Sequence, residues 1–202
     1  STIRRYQKIR NSRGMTGCAA ARAILDANGL QNISVEHISG NLTDHYDPRA
    51  NVIRLSDAVY NSDSATAVGI AAHEAGHAIQ HAQGYVPIKI RQAIIPVTSI
   101  CSNLSMPLIL LGLLFSFPSL AYIGVILFGA STVFQLVTLP VEFNASARAI
   151  RVLDEYHYLE DDELRAAKKT LSAAALTYVA ALAVSLANLL RLFLLVNRSK
   201  RK

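Results

Sequence analysis

The sequence predicts a mainly helical α+β membrane protein, with a small helix-and-sheet domain and about three transmembrane helices. Three observations carry that prediction. Apolar residues make up 51% of the 202 residues and charged residues 17%, which is lopsided for a chain of this size. No Asp, Glu, Lys, Arg or His occurs between Gln92 and Val141. A second run free of charge extends from Thr170 to Leu190 and, after Arg191, stays apolar to Val196.

A membrane-spanning helix takes about 20 apolar residues. The first run therefore fits two spans joined at Ser116-Phe117-Pro118-Ser119, the second ending at Leu139-Pro140. Soluble core helices normally keep one charged or polar face, and these segments carry no charge. The net charge of +6 is uneven: residues 170–202 carry five basic and no acidic side chains, largely in Arg198-Ser199-Lys200-Arg201-Lys202. Basic charge beside apolar spans reads as membrane flanking. No groove-reading motif accompanies it, so the expected partner is a lipid bilayer and not nucleic acid.

The remaining chain supplies the small domain. Thr16 is a candidate N-cap for a helix whose face carries Ala20, Ala23, Ile24 and Ala27, with Asn28-Gly29 as its stop. Asn32–Ile38 reads as a strand, the turn Asp47-Pro48-Arg49 separates His45-Tyr46 from Asn51–Leu55, and the latter alternates like a half-buried strand. A helix then starts at Ser64 or Thr66 and ends near Gln83-Gly84. Another begins at about Val141, and Glu160-Asp161-Asp162-Glu163 is an acidic helix start or loop. The expected organisation is an N-terminal part over 1–91, a transmembrane hairpin over 92–140, a helix over 141–169, and a third apolar helix with a basic tail over 170–202. Cys18 and Cys101 form no CxxC, and Cys101 lies in the apolar run, so neither a disulfide framework nor a thiolate metal site is expected. The start, Ser1-Thr2-Ile3-Arg4-Arg5, lacks an initiator Met and shows no signal peptide, consistent with a trimmed chain.

The chemistry resides in His73-Glu74-Ala75-Gly76-His77, an HExxH motif. Residues four apart share a helix face, so two imidazoles can reach one Zn²⁺ at about 2.0–2.1 Å. Glu74 sits where a general base can take a proton from zinc-activated water and hand it to the leaving amine. A structural zinc site needs no such base. The preceding Val68-Gly69-Ile70-Ala71-Ala72 is small and apolar, as a buried helix requires.

Catalytic zinc uses three protein ligands and an open position. His81 and Glu142 are the candidates for the third. His73, His77 and His81 on one straight helix span about 12 Å of rise and cannot readily converge on one ion, leaving His81 supporting a ligand, facing substrate or simply exposed. Glu142 closes the long charge-free run, where a carboxylate is costly unless a cation or donor meets it. A helical hairpin also returns the chain to the side it left, placing Glu142 on the face that holds His73 and His77. Small residues beside Glu142 would allow close approach to the HExxH helix. Ser146, one turn on, is a candidate donor to a metal ligand. Arg148 is a candidate oxyanion stabiliser or, more simply, a structural ion-pair partner. His45, His157, Tyr156 and Tyr158 are candidates for polarising the tetrahedral intermediate, and Val52–Leu55 for binding substrate by strand addition.

At these residues the chain resembles the YugP-type membrane zinc peptidases, relatives of the HtpX-like membrane metallopeptidases. The resemblance rests on Asn11-Ser12-Arg13-Gly14-Met15-Thr16-Gly17, on His45–Arg49 with Val52–Ser56, on Ala71–Ala82 and on Leu139–Ser146. It implies a zincin-like catalytic domain of gluzincin type, one zinc ion, a Glu third ligand falling on Glu142, and a protein or peptide substrate. The HtpX-like relatives carry an acidic residue where Ser146 stands. Members typically begin with a further transmembrane helix, which this sequence lacks.

The expected function is that of a membrane-bound zinc endopeptidase. The alternatives are a zinc-binding membrane scaffold or partner-binding factor without peptidase activity, and a non-enzymatic membrane protein with a fortuitous HExxH. The expected location is the bacterial cell membrane, as a multi-pass protein, with a homo-oligomer or a membrane partner open. Lys89, Arg91, Arg148 and Arg151 flank the hairpin and favour a cytoplasmic site by the positive-inside rule, although the basic tail pulls the other way if 170–196 spans fully.

Overall fold

A computed structural model describes residues 9–200, with side chains through Arg198. The opening Ser1–Arg5 and the basic side chains beyond Arg198 lie outside the described residues. The elements are α1 (Gly17–Ala27), β1 (Ser34–His37), β2 (His45–Asp47), β3 (Val52–Leu55), α2 (Ala65–Ala82), α3 (Val86–Leu114), α4 (Pro118–Glu155) and α5 (Asp161–Lys200). The chain divides into two compact units. One contains the chain up to Tyr85 with Glu142–Leu176, and the other Val86–Val141 with the chain from Thr177.

In the first unit, local chemistry sets the helix ends. The Thr16 side chain accepts from the Ala19 N–H at 3.2 Å and starts α1. Ser64 does the same for α2 through the Ala67 N–H at 3.1 Å. Each hydroxyl satisfies one of the orphan N–H groups of a first turn. Past the end of α2, Gly84 adopts φ +67°, a left-handed conformation that a residue without Cβ takes at no steric cost. The acidic run begins α5: the Glu163 carboxylate reaches back to the Glu160 N–H at 3.0 Å and also accepts from the Ser12 N–H at 2.7 Å. Asn11 is buried and closes its own turn, donating to the Met15 carbonyl at 2.7 Å and accepting from the Met15 N–H at 2.8 Å. Its backbone N–H donates to the Asp63 carbonyl at 2.8 Å, one residue before the cap of α2. The Asn11–Gly17 motif is thus a clasp that ties the chain to the start of the HExxH helix.

The strands form one sheet in the order β1-β3-β2, with β3 parallel to β1 and antiparallel to β2. The register pairs Val35 with Ile53 and Tyr46 with Ile53. Val52, Ile53 and Leu55 are all buried, so β3 is covered on both faces and is not the half-buried, alternating strand expected. Both of its edges are already paired, which rules out Val52–Leu55 as a site for strand addition. The free edges among the described strands belong to β1 and β2. The core beneath the sheet joins Ile24 and Leu25 of α1, Val68, Ala71, Ala72 and Ala75 of α2, Leu153 of α4 and Ala167 of α5. Burying each large aliphatic chain here contributes about 1.5–3 kcal/mol. The alanines let the helices come close.

The second unit is helical. Helices α3, α4 and α5 are long and apolar enough to cross a membrane. Their outward side chains are apolar too, Leu110, Ile126 and Leu190 among them, an exposure that suits lipid and not water. Gly112 and Gly124 let α3 and α4 approach, since a Cβ at Gly124 would stand 2.7 Å from the Ser105 carbonyl oxygen. Thr132 of α4 and Ser185 of α5 share a hydroxyl hydrogen bond of 2.8 Å, and Tyr122 donates to Asn197 at 3.2 Å. Such polar pairs join helices where water is absent.

One expected boundary is corrected. No helix ends at Leu139-Pro140; α4 runs unbroken from Pro118 to Glu155 with Pro140 inside it. Proline removes one N–H and its ring opposes the carbonyl a turn earlier, but apolar spans tolerate this where neighbouring groups re-satisfy the backbone. The candidate span and the stretch bearing Glu142 therefore belong to one helix.

Candidate metal centre

Helix α2 supplies the first part of the site. His73 and His77 lie one turn apart on the same face, their ring centroids 4.7 Å apart and nearly perpendicular. Helix α4 supplies the second part. Gly76, between the histidines, faces the backbone of Ala145, where an added Cβ would stand 2.6 Å from the carbonyl oxygen. That close approach brings Glu142 onto the imidazoles. Its Oε2 lies 3.2 Å from His73 Nε2 and 3.6 Å from His77 Nε2. One ligand atom from each of the three residues lies within 4.8 Å of the other two.

These separations suit a small divalent ion. Two bonds of about 2.0–2.1 Å at a tetrahedral angle place their donor atoms roughly 3.3 Å apart, between the two distances observed. The donor set, two imidazole nitrogens and one carboxylate, is of the type that catalytic zinc takes. Glu142 and His77 are buried, and His73 is more open, its side chain 15% exposed. Two imidazoles and a carboxylate facing one point in a largely buried site would be costly without a shared cation or proton. His77 shows the proton alternative: burial opposes its charged form, yet the hydrogen bond to Glu142 and the charges of Glu74 and Glu142 raise its pKa above the ordinary imidazole value.

The outer nitrogens of both rings are engaged. His73 Nδ1 meets the Ser146 hydroxyl at 3.1 Å. His77 Nδ1 meets Gln80 Oε1 at 3.0 Å. Gln80 is fully buried and its amide nitrogen donates to Asn144 Oδ1 at 3.0 Å. Arg148 Nε donates to that same oxygen at 2.7 Å, while Nη1 donates to Gln83 Oε1 at 2.5 Å and the guanidinium lies over the Tyr85 ring. Gln80, Gln83 and Asn144 are participants that the sequence reading did not single out. The available signal was Gln80 itself: a large polar side chain three residues after His77, on a helix whose small apolar residues mark it as buried, needs a partner.

The other expected residues lie elsewhere in this unit. His81 contacts the Tyr46 ring of β2 edge to face at 6.1 Å, linking α2 to an edge strand. His45 Nδ1 meets the Thr43 carbonyl at 2.7 Å, and its Nε2 is 3.5 Å from Arg54 Nη1. His157 occupies the turn after α4 at φ +52°. Beside it Tyr156 and Tyr158 stack at 5.6 Å, and burial, followed by the charges of Tyr156 and Asp26, raises the pKa of the Tyr158 hydroxyl.

Comparison with known proteins identifies the family of the chain. A family model described as "Putative neutral zinc metallopeptidase" matches residues 1–197. The chain belongs to this family. A relative, the "Putative membrane protease YugP" of Bacillus subtilis (strain 168), is 47% identical over 191 residues, covering 95% of this chain and 85% of its own length. No solved structure matches. Within this zinc metallopeptidase family, the cluster of His73, His77 and Glu142 is the candidate position for the metal that the family description names.

Proposed function

We propose that the protein is a membrane-bound zinc endopeptidase in which His73, His77 and Glu142 hold one zinc ion and Glu74 is the general base. The observation that carries this reading is the convergence of the HExxH imidazoles on the Glu142 carboxylate. Zinc, when bound, supplies Lewis acidity that acidifies water and polarises a peptide carbonyl.

The chain's own groups would do the rest. Glu74, beside His73 and close enough to His77 for its charge to act there, takes the proton of the attacking water. The water oxygen forms a bond to the carbonyl carbon, the C–N bond breaks, and Glu74 returns the proton to the departing amine. Ser146 and Gln80 hold the outer nitrogens of the two imidazoles, so that the inner nitrogens face Glu142. Because β3 is enclosed, the strand suited to receive an extended substrate is β2, an edge strand tied to the HExxH helix by Tyr46 and His81.

Glu74→Gln tests the reading. The variant, purified in detergent, should keep its zinc and lose cleavage of an unfolded protein substrate. Cleavage at the wild-type rate by Glu74→Gln would refute the proposed mechanism.

A further inference from the structure

The hydrogen bonds behind His77 have a direction, and the direction begins at Arg148. A guanidinium can only donate. Arg148 Nε therefore requires an acceptor at 2.7 Å, which fixes the Asn144 oxygen on that side. The same oxygen faces Gln80 at 3.0 Å, so Gln80 must present its NH₂ group there. Its amide oxygen then points the other way, to His77 Nδ1 at 3.0 Å. An amide oxygen can only accept, so Nδ1 must carry the hydrogen. In a neutral ring that leaves the lone pair on Nε2, the nitrogen turned toward Glu142.

We propose that Arg148, Asn144 and Gln80 form a one-way relay that fixes His77 in the tautomer able to bind metal through Nε2. Each is a positioning residue. His73 has no equivalent: its Nδ1 faces the Ser146 hydroxyl, which donates or accepts with equal ease. Of the two imidazoles, His77 is thus the one held ready. Gln80 is fully buried, so a reversed amide would leave a donor against Nδ1 and a mismatched group against Asn144, with no water to repair either. The relay rests on the reading of His77 as a metal ligand, but the tautomer it imposes exists without metal.

Two variants of Asn144 separate the relay from packing. Asn144→Asp keeps an acceptor for both Arg148 and Gln80. Asn144→Leu keeps the volume and removes the acceptor, freeing Gln80 to turn. In ¹⁵N-histidine-labelled, metal-free full-length protein at alkaline pH, wild type and Asn144→Asp should show the His77 proton on Nδ1. Asn144→Leu should show it redistributed toward Nε2. Zinc affinity, read by chelator competition, should be unchanged or higher in Asn144→Asp and weaker by about 10–100-fold in Asn144→Leu, the range seen when partners behind a metal ligand are removed. A wild-type His77 without a proton on Nδ1 overturns the relay, as does equal loss of affinity in both variants. Failure of the ligand reading would appear differently: His77→Ala would bind zinc as wild type does, while in the wild-type protein His77 still carried its proton on Nδ1.

Discussion

Gly76 of α2 and Ala145 of α4 touch through their backbones, and a single added methyl at Gly76 would stand 2.6 Å from the Ala145 carbonyl oxygen. This contact sets the distance between the helix bearing the two histidines and the helix bearing Glu142. Gly76→Ala should therefore push α4 away, at a cost of about 1–3 kcal/mol for overpacking. The expected result is a folded protein with reduced melting temperature and weakened zinc binding, measured by thermal denaturation and metal content. Wild-type zinc affinity in Gly76→Ala would show that the contact does not set the site.

Zinc uptake should depend on pH through His77. Burial disfavours its charged form, but Glu142 and Glu74 outweigh that and raise its pKa above the ordinary value of 6.5. In the metal-free protein the protonated ring thus adds stability that is fully present below the unfolded-state value and is lost as pH rises through the raised one. Zinc needs the neutral ring. Apparent zinc affinity should fall as pH is lowered through the raised value, above 6.5, with proton release on binding visible by calorimetry in buffers of different ionisation enthalpy. Affinity that is constant across this window would contradict the assignment.

By the positive-inside rule, the basic residues flanking the hairpin predict a cytoplasmic site, against the pull of the basic tail. Arg49 is exposed in the turn between β2 and β3 and offers a reporter position. In a background with Cys18→Ala and Cys101→Ala, Arg49→Cys should be protected from an impermeant thiol reagent in whole cells and labelled after lysis. Labelling in intact cells would reverse the orientation.

The parts of this molecule governed by near neighbours were legible in the sequence. Thr16, Ser64 and Gly84 mark helix ends because a cap acts within one turn. The three candidate spans follow from uncharged runs alone. Glu142 was legible by a longer argument, since a lone carboxylate at the end of an apolar run needs a partner and a hairpin brings it back toward His73. What local pattern cannot show is pairing between distant segments. Gln80 and Asn144 meet across two helices, and Gln80 signals only that a partner is needed, not which one. The central position of β3 was signalled only by adjacent Val52 and Ile53, which point to opposite faces and are both buried. Pro140 suggested a break because its cost is local, whereas its tolerance depends on the surrounding helix.

If α2 and α4 build one metal site, the zinc content of Glu142→Ala must differ from that of the wild type. Wild-type protein purified without chelators should carry one zinc per chain by elemental analysis. Glu142→Ala, with unchanged helical content by circular dichroism, should retain far less, with affinity reduced by more than the about 10–100-fold that partners behind a ligand contribute. Full zinc occupancy at unchanged affinity in Glu142→Ala would contradict the account and return His81 as the third ligand.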